Sequence, residues 1–341
     1  MKTVLRSIVV LSSAAFAACA VGPDYAAPTT PPAEFRNIAG GGFAEEAIEA
    51  EWWQQFGDPV LDKLVTRALE SDLDLRIAGA RVREARALFS DARLDYAPEV
   101  TARGGYSKQD APLLQFGVAD PAVSEAYELG FDAAWELDLF GRVRRGVEAA
   151  RAEAEAADAL LRDAQVRVAA EVAREYFELR GAQQRLAVAR RNLDNLSEVL
   201  RLTEVRRQLG AGDELDVATA KAQRARTQAT VPPLVAAEKR AAYRLAVLLG
   251  LRPGALGDEL APVPVTPRIH SLAIGAPEDL LRRRPDVRAA ERALAAETAR
   301  VGVATADLYP RLSVTGFFGF VSGSSAALGD SNTRAWRSHR L

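Results

Sequence analysis

The sequence predicts a mainly helical protein that carries a few two-faced β-strands and consists of two tandem repeats, the second of them incomplete. Three observations lead to this fold class. The stretch from Gly141 to about Leu209 contains no proline and places apolar residues at intervals of seven. Three shorter segments alternate apolar and polar residues, as strands with one apolar face do. Residues 74–98 can be laid over residues 286–310 without a gap.

The N-terminus has the features of a bacterial lipoprotein signal peptide, predicted to cover residues 1–18. Lys2 and Arg6 supply a positive end, and the apolar stretch that follows is too short to span a bilayer by itself. Small residues then precede Cys19, the only cysteine of the chain. We expect cleavage before Cys19 and a covalent lipid on its thiol. The alternative is an ordinary signal peptide cut after Ala17, which would leave an unmodified cysteine.

The next residues are predicted to form a tether followed by two helices. Residues 19–58 are rich in proline, glycine and alanine and are expected to be extended. A first helix should begin near Pro59, because proline is tolerated in the first turn of a helix. A second helix is predicted over residues 74–95, and Pro98 ends it.

Three segments, 98–107, 127–138 and 310–321, are predicted strands. Each is about 10 residues long, the length of a tilted strand that crosses a bilayer. The apolar residues of the last two strands that share one face are Tyr127, Leu129, Phe131, Trp135, Leu312, Val314, Phe318 and Phe320. Asp132 and Glu136 lie on the opposite face of their strand. Alternation alone does not distinguish a membrane strand from a half-buried strand of a soluble sheet.

A long helical hairpin is predicted over residues 141–249. Its seam, spaced by sevens as in a coiled coil, consists of Val172, Leu179, Leu186, Leu193 and Leu200. At ~1.5 Å per residue, a helix of roughly 68 residues would be about 100 Å long. The hairpin turns at Leu209, Gly210, Ala211 and Gly212, and Asp213 is placed to cap the returning helix.

A proline-rich connector, residues 251–276, separates the first repeat, residues 59–250, from the second, residues 277–341. The matching segments are offset by 212 residues (286 − 74 = 212), and each leads from a helix through a proline into an alternating strand. With that offset, a complete second repeat would end near residue 462 (250 + 212 = 462). The prediction is therefore a shortened version of a two-repeat protein, whose last residues, "NTRAWRSHRL", belong to no element.

The composition argues against two classes of function. A net charge of −2 gives no basic surface of the kind that nucleic-acid binding usually needs, so no nucleic-acid partner is expected. His270 and His339 are the only histidines and lie far apart in segments without a regular pattern. No nucleophile–base, zinc or phosphate-binding pattern occurs in the sequence. We expect no enzyme activity, no metal and no cofactor other than the covalent lipid on Cys19.

Seven motifs in combination resemble the outer-membrane efflux channel family, the TolC-like proteins, and within it the lipoprotein branch typified by OprM and NodT. They are "CAVGPDY" (19–25), "WWQQFGDPVLDKLV" (52–65), "ARVREARA" (80–87), "AAWELDLFGRVRR" (133–145), "LAVLLGLRP" (245–253), "LLRRRPDVRAAER" (280–292) and "ADLYPRLSVTGFFG" (306–319). The resemblance covers nearly everything from Cys19 to about Gly319. Its departures are Phe16 in the lipidation motif, Ser71 where the family pattern before "DLDL" prefers Asn, and the absence of the family's C-terminal third.

The resemblance implies a homotrimer that is lipid-anchored in the bacterial outer membrane and extends into the periplasm. Each protomer would give four strands to one shared transmembrane β-barrel and its long helices to an α-helical tunnel. The shared apolar face, from Tyr127 to Phe320, would then contact outer-membrane lipid, and Asp132 and Glu136 would face the lumen. Aromatic residues at the strand–helix junctions would form a girdle on the periplasmic side: Tyr96, Trp135 and Tyr309.

The resemblance also implies two protein partners. The hairpin tip, Leu209 to Gly212, would contact a periplasmic adaptor (membrane fusion) protein, although a plain helix-ending Schellman turn would explain its glycines equally well. An inner-membrane efflux transporter would pass small molecules into the trimer, which would act as a passive conduit. A shortened chain would lack the gating residues of the second hairpin and would not be expected to close a normal barrel. The alternative is a periplasmic coiled-coil lipoprotein with a structural role, which the strands do not favour.

Overall fold

The computed structural model describes residues 20–29, 35, 43–44, 50–112, 121–263, 272–273 and 275–340. Its helices are α1 (Pro59–Ser71), α2 (Leu73–Ala92), α3 (Arg142–Gln208), α4 (Glu214–Leu248), α5 (Pro277–Arg283) and α6 (Pro285–Ala306). Its main strands are β1 (Glu99–Pro112), β2 (Pro121–Leu137), β3 (Leu312–Ser322) and β4 (Arg334–Arg340). A two-residue parallel pair joins Phe43–Ala44 to Leu272–Ala273. Short 3₁₀ helices cover Trp52–Phe56, Arg93–Tyr96, Ser325–Ala327 and Ser331–Thr333.

The chain divides into two compact units. One unit comprises Met1–Thr29, Val82–Asp158 and Arg288–Leu341, and the other comprises Thr30–Arg81 and Ala159–Val287. The first contains the four-stranded sheet and the beginning of α3, and the second contains the rest of the helical hairpin. Among the residues that the structure describes, no helix combines the length and the apolar character needed to cross a bilayer.

The four main strands form one antiparallel sheet in the order β1-β2-β3-β4. Its ladders pair Tyr106 with Tyr127, Phe131 with Phe318, and Phe318 with Trp336. Strand β3 therefore lies between β2, which comes from the first predicted repeat, and β4. Both α2 and α6 lead through a proline into a strand of this sheet, Pro98 before β1 and Pro310 before β3. The helix–proline–strand order is as expected, while the tandem repeat itself stays a prediction.

Two features of the sheet differ from the sequence-based expectation. The strands predicted over residues 98–107 and 127–138 are longer than expected: β1 continues to Pro112 and β2 begins at Pro121; residues 113–120 lie outside the described part. The alternation of apolar and polar residues shows only the part of a strand that has an apolar face. The backbone hydrogen bonds between the strands continue beyond that part. The expectation that the final residues belong to no element is wrong, because Arg334–Arg340 pair with β3 as β4. A strand at a sheet edge tolerates the charged residues that hid this segment.

The hairpin consists of α3, 67 residues long, and α4, 35 residues long. On its predicted seam Val172, Leu179 and Leu186 are buried, whereas Leu193 and Leu200, nearer the turn, are half-buried. Polar contacts join the two helices as well: Lys221 lies 3.5 Å from Glu204, and Arg224 donates to Ser197 at 3.0 Å. The predicted antiparallel helices are thus observed. Pro232 and Pro233 lie inside α4, a feature that the helical pattern did not reveal.

The core of the second unit lies where α1 packs on both helices of the hairpin. Its fully buried side chains are Leu61, Leu64, Val65, Val172, Tyr176, Leu179 and Leu245. Asp58 caps α1 by accepting from the backbone N–H groups of Val60 at 2.9 Å and Leu61 at 3.3 Å. The hydroxyl of Tyr176 donates to the other carboxylate oxygen of Asp58. A core residue of α3 therefore helps to orient the group that begins α1.

Candidate functional site

The register of the sheet places the predicted lipid-facing residues on one side. We call this side the apolar face; it comprises the odd-numbered residues of β2 from 127 to 137 and the residues that pair with them, which are even-numbered in β1, β3 and β4. All eight predicted residues belong to it: Tyr127, Leu129, Phe131, Trp135, Leu312, Val314, Phe318 and Phe320. We call the other side the polar face, and it carries Asp132 and Glu136. Their contact with lipid or with a lumen stays a prediction.

The apolar face is unusually exposed for a surface of this chemistry. Leu129 is 54% exposed, Phe131 57% and Phe318 67%. Trp336 on β4, at 77%, extends the same row beside Phe318. A contiguous group of large apolar side chains of this kind marks a surface that is covered by a partner or by lipid. Trp336 could not be assigned to this row from the sequence, because its segment showed no strand pattern.

Aromatic residues lie at both ends of the apolar face. At one end Trp135 donates its indole N–H to the backbone oxygen of Tyr96 at 3.2 Å. At the other end the rings of Tyr106 and Tyr127, a directly paired couple, lie 4.8 Å apart. The eight residue-to-residue steps from 127 to 135 correspond to about 27 Å of extended strand. Two residue pairs farther along the ladder, and on the same side of the sheet, Lys108 and Glu125 form an ion pair of 2.8 Å, so the apolar surface ends there.

On the polar face three carboxylates of β2, among them the predicted lumenal residues Asp132 and Glu136, each have a basic partner. Glu128 lies 2.8 Å from Arg337 and 3.7 Å from Arg103, and Asp132 lies 3.6 Å from the same Arg103. Glu136 makes two contacts with Arg142, at 2.7 and 2.6 Å. These acids therefore belong to ion pairs, which an alternating sequence pattern cannot show.

Two glycines of the polar face allow a phenyl ring to lie flat on the sheet. Gly130 and Gly319 are paired across β2 and β3. A Cβ atom at Gly319 would lie 2.4 Å from the backbone oxygen of Leu129 and 2.8 Å from the ring of Phe317. Phe317 is consequently only 7% exposed, in contrast to its neighbour Phe318 on the other side of the sheet. The phenyl ring fills the space that two side chains would otherwise occupy.

The junction between β2 and α3 depends on Asp138. Its carboxylate accepts from the backbone N–H groups of Val143 at 3.1 Å and Arg144 at 2.9 Å, the unpaired donors of the first turn of α3. The partial positive charge at a helix N-terminus favours a carboxylate in this place. Nearby, Phe140 stacks on Tyr309 with ring centroids 4.7 Å apart. These contacts make an abrupt change from strand to helix possible.

The hairpin tip ends α3 with a Schellman motif. The N–H of Gly210 donates to the oxygen of Arg207, and that of Ala211 to the oxygen of Arg206, both at 2.9 Å. Gly210 has φ +75°, a conformation that residues with a Cβ rarely adopt. Asp213 then caps α4 by accepting from the N–H of Asp216 at 2.8 Å, as predicted. Leu209 and Leu215 are 77% and 72% exposed, so the tip presents two leucines to solvent.

The residues directly after Cys19 dock on the helices that flank the sheet. The N–H of Val21 donates to the oxygen of Phe140 at 3.0 Å, and Arg145, whose side chain is 6% exposed, pairs with Asp24 at 2.6 Å. Gly22 approaches α6 so closely that a Cβ there would lie 2.5 Å from the Cα of Gly302. Cys19 itself lies outside the described residues.

Tyr25 completes this docked segment. Its hydroxyl donates to Glu291 at 2.9 Å, and the guanidinium of Arg292 lies 5.2 Å from its ring centroid. Burial and the hydrogen bond to Glu291 raise the pKa of Tyr25 above its ordinary value. The neighbouring Arg292 and the Tyr25 hydroxyl lower the pKa of Glu291. The sequence identified "CAVGPDY" as a motif, but it gave no sign of where the motif binds.

In the part of the chain that the structure describes, no group of three or more His, Cys, Asp and Glu side chains is placed to hold a metal ion. Glu128, Asp132 and Glu136 are engaged in ion pairs and Asp138 in a helix cap, and none of these arrangements resembles a nucleophile beside a base. The surfaces that stand out are the two faces of the sheet, the hairpin tip and the docked N-terminal segment.

Comparison with known sequences and structures connects these surfaces to a family. The sequence profile of the family described as outer membrane efflux protein matches residues 64–251 and 276–338. Nodulation protein T of Rhizobium leguminosarum bv. trifolii is 33% identical over 87% of this chain, and outer membrane protein OprJ of Pseudomonas aeruginosa is 32% identical over 94%. The chain spans 63% and 67% of the lengths of these two relatives.

Solved structures agree with this assignment. The outer-membrane channel OprN is 48% identical, with a TM-score of 0.90 over 95% of this chain and 72% of that one. The CmeC outer membrane channel of Campylobacter jejuni, at 21% identity and a TM-score of 0.82 over 95% of this chain and 70% of that one, shares the fold. The predicted TolC-like fold class is confirmed. Because the family profile matches most of the sequence, the chain belongs to the outer membrane efflux protein family.

Proposed function

We propose that the chain is the outer-membrane channel component of an efflux system, a passive conduit through which small molecules leave the periplasm. The observation that carries the proposal is the sheet, whose apolar face is exposed and bounded by aromatic residues, while Glu128, Asp132 and Glu136 on its polar face are paired with arginines. This division suits a wall with lipid on one side and water on the other. Membership of the family supports the same function.

The working unit in this proposal is a homotrimer. Strands β1 and β4 each have one edge without a neighbouring strand among the described residues. Within hydrocarbon every backbone N–H and C=O group needs a hydrogen-bond partner, so a sheet with open edges must close. A shortened chain was not expected to close a normal barrel, but β4 supplies a fourth strand. One sheet of four strands is too small to close on itself, whereas three copies would supply twelve strands (3 × 4 = 12). Joining β1 of one protomer to β4 of the next would pair every edge.

The partners of the trimer would be a periplasmic adaptor protein and an inner-membrane efflux transporter. The hairpin tip supports the first of these, because Leu209 and Leu215 expose apolar surface beside a glycine turn that lets a partner backbone approach. The ion pair of 2.7 Å between Arg207 and Glu214 holds the two sides of the turn together. A rigid tip loses little entropy when it binds a partner.

The trimer would be anchored by a lipid on Cys19. Docking of residues 20–25 supports this, because it fixes the chain next to the strand–helix junction, where the aromatic residues Trp135 and Tyr309 lie. A thiol one residue before Ala20 would then be at the level of the membrane surface. Acyl chains contribute about 0.8 kcal/mol per buried CH₂ group, so more than one chain anchors firmly.

The function is tested with the full chain, purified from outer membranes in detergent. We expect an oligomer that runs more slowly than the unfolded chain on a gel until it is boiled, and that conducts ions when added to a planar lipid bilayer. A periplasmic coiled-coil lipoprotein would show neither property. Purification as a soluble monomer without conductance would refute the channel.

Lipidation is tested separately by labelling growing cells with radioactive palmitate. The unmodified chain should incorporate the label, and Cys19→Ser should abolish incorporation because serine offers no thiol. The Gly254→Ala variant, altered far along the sequence from Cys19, serves as the control for expression. Equal labelling of Cys19→Ser and the unmodified chain would contradict the assignment.

A further inference from the structure

Four charged residues form a connected cluster on the polar face. We call Arg103, Glu128, Asp132 and Arg337 the charge cluster. Glu128 lies at its centre, 2.8 Å from Arg337 and 3.7 Å from Arg103, and Arg103 also reaches Asp132 at 3.6 Å. The two carboxylates belong to β2, whereas the two arginines come from β1 and β4, the edge strands. The cluster therefore links three of the four strands by side chains.

Arg337 reaches Glu128 across an intervening strand. Its backbone pairs with Phe317 of β3, and its guanidinium lies 5.3 Å from the centroid of the Phe317 ring. Stacking on an aromatic ring orients a guanidinium without neutralising it. Because Phe317 lies flat over Gly130 and Gly319, the arginine can extend over the ring to β2. The glycine pair, the phenyl ring and the ion pair together determine the position of the Arg337 side chain.

The accessibility of the cluster is unequal. The side chains of Arg103 and Arg337 are 58% and 59% exposed, whereas Glu128 is 18% and Asp132 37% exposed. The arginines thus cover the carboxylates on the solvent side. Two positive and two negative charges sum to zero, and the field of such close pairs falls off faster than that of single charges.

We propose that Arg103 and Arg337 determine the ion specificity of the conduit by neutralising Glu128 and Asp132. This inference rests on the proposed function and deepens it, because it applies to solutes that pass along the polar face. In a trimer the two carboxylates would become six (3 × 2 = 6) lumenal charges if the arginines were absent. Rings of carboxylates in a pore attract cations and repel anions. With the arginines in place, the strand region passes solutes of either charge.

The proposal is tested by measuring reversal potentials of the purified full chain in a planar bilayer of neutral phosphatidylcholine, under a gradient of KCl. The unmodified channel should show little preference between K⁺ and Cl⁻ in its strand region. The double variant R103Q/R337Q should raise the ratio of K⁺ to Cl⁻ permeability by about twofold or more. The double variant E128Q/D132N should change the ratio in the opposite direction, because it leaves the arginines unpaired.

The matched control is Lys108→Gln. Lys108 lies on β1, as Arg103 does, and also pairs with a carboxylate of β2, but it belongs to the opposite face of the sheet. Removal of its charge should leave the reversal potential unchanged. Normal conductance with an unchanged reversal potential in both double variants would overturn the inference alone. Absence of conductance from the unmodified protein would overturn the proposed function, and the inference with it.

Discussion

At the scale of single residues, the sheet depends on the absence of two side chains. Gly130 and Gly319 face each other across β2 and β3, and the ring of Phe317 covers both. Glycine in a strand interior is unfavourable by itself, because it lacks a side chain to pack. Here the phenyl ring replaces the missing contacts, and only 7% of Phe317 remains exposed. A methyl group at either glycine would displace the ring or separate the strands.

We therefore predict that Gly319→Ala weakens the sheet. The added methyl group would lie 2.4 Å from the backbone oxygen of Leu129, and relief of such an overlap costs about 1–3 kcal/mol. The temperature at which the folded gel band is lost should fall. Gly105→Ala, also on the polar face but with no atom within 4 Å of its added methyl, should leave that temperature unchanged. Equal behaviour of the two variants would contradict the packing argument.

A second residue-scale prediction concerns Tyr176, which is fully buried and donates to Asp58. Tyr176→Phe leaves the capping carboxylate with one partner fewer and should cost about 1–2 kcal/mol of folding free energy, measured by denaturant unfolding. Burial and the hydrogen bond raise the pKa of Tyr176 from 10.0 to about 12. A group whose pKa is higher in the folded state than in the unfolded state stabilises the folded protein at pH values below the unfolded pKa. The stabilisation from Tyr176 is therefore lost as pH rises from 10 to 12.

Denaturant unfolding at high pH distinguishes the effect of ionising the Tyr176 hydroxyl from the effect of removing that hydroxyl. The unmodified protein should lose stability steeply between pH 10 and pH 12, whereas Tyr176→Phe should lose less, because phenylalanine has no proton to release. Parallel losses in both proteins would show that other groups govern alkaline unfolding and that the Tyr176–Asp58 contact does not.

At the scale of elements, the hairpin tip illustrates what a local pattern can and cannot establish. Two glycines after a long helix indicate a turn, and the Schellman hydrogen bonds and the Asp213 cap follow from known helix endings. The same turn leaves Leu209 exposed, which no helix ending requires. An exposed leucine at a rigid turn is the feature that favours a partner.

Gly210→Trp tests the contact of the tip with an adaptor protein. The indole would occupy the space that the partner backbone needs, so crosslinking to the adaptor in cells should fall about tenfold, equivalent to 1.4 kcal/mol. Trimer formation should be normal. Gly254→Trp is the control for backbone strain, since Gly254 also has a positive φ, +89°, and open space around it but belongs to the connector. Undiminished crosslinking of Gly210→Trp would exclude the tip as the contact.

The strands and helices also differ in how far their sequences reveal them. The proline-free stretch between Gly141 and the glycine turn at Gly210 predicted α3 to within a residue at each end, and the heptad spacing marked the apolar seam from Val172 to Leu200. Alternation predicted the centre of β1 and β2 but not their outer ends, where Lys108 and Glu125 pair on a face that is no longer apolar. Strand β4 was missed altogether, since Arg334, Arg337 and Arg340 obscure its single large apolar residue.

At the scale of the whole molecule, motifs predicted the fold class, whereas long-range contacts stayed hidden. The connector places Leu256 and Leu260 in the core of the second unit, although its prolines and glycines indicate only a loop. Arg180 is 3% exposed, stacks on Tyr176 and donates to the backbone oxygen of Ala261 at 2.7 Å. The sequence does not show whether an arginine is buried or exposed to solvent, so only the folded structure distinguishes the two cases.

The last prediction concerns insertion of the trimer into a membrane. Phe318 is 67% exposed near the middle of the apolar face, between Phe131 and Trp336. If this face contacts lipid, Phe318→Arg places a charge near the middle of the bilayer, which destabilises a barrel by about 2–4 kcal/mol for each copy. The heat-modifiable oligomer should disappear from outer membranes. Val321→Arg places the same charge on the same strand but on the polar face, beside Glu128, and should insert normally. A sheet that faces water on both sides would accept both substitutions equally, and that result would contradict the membrane role.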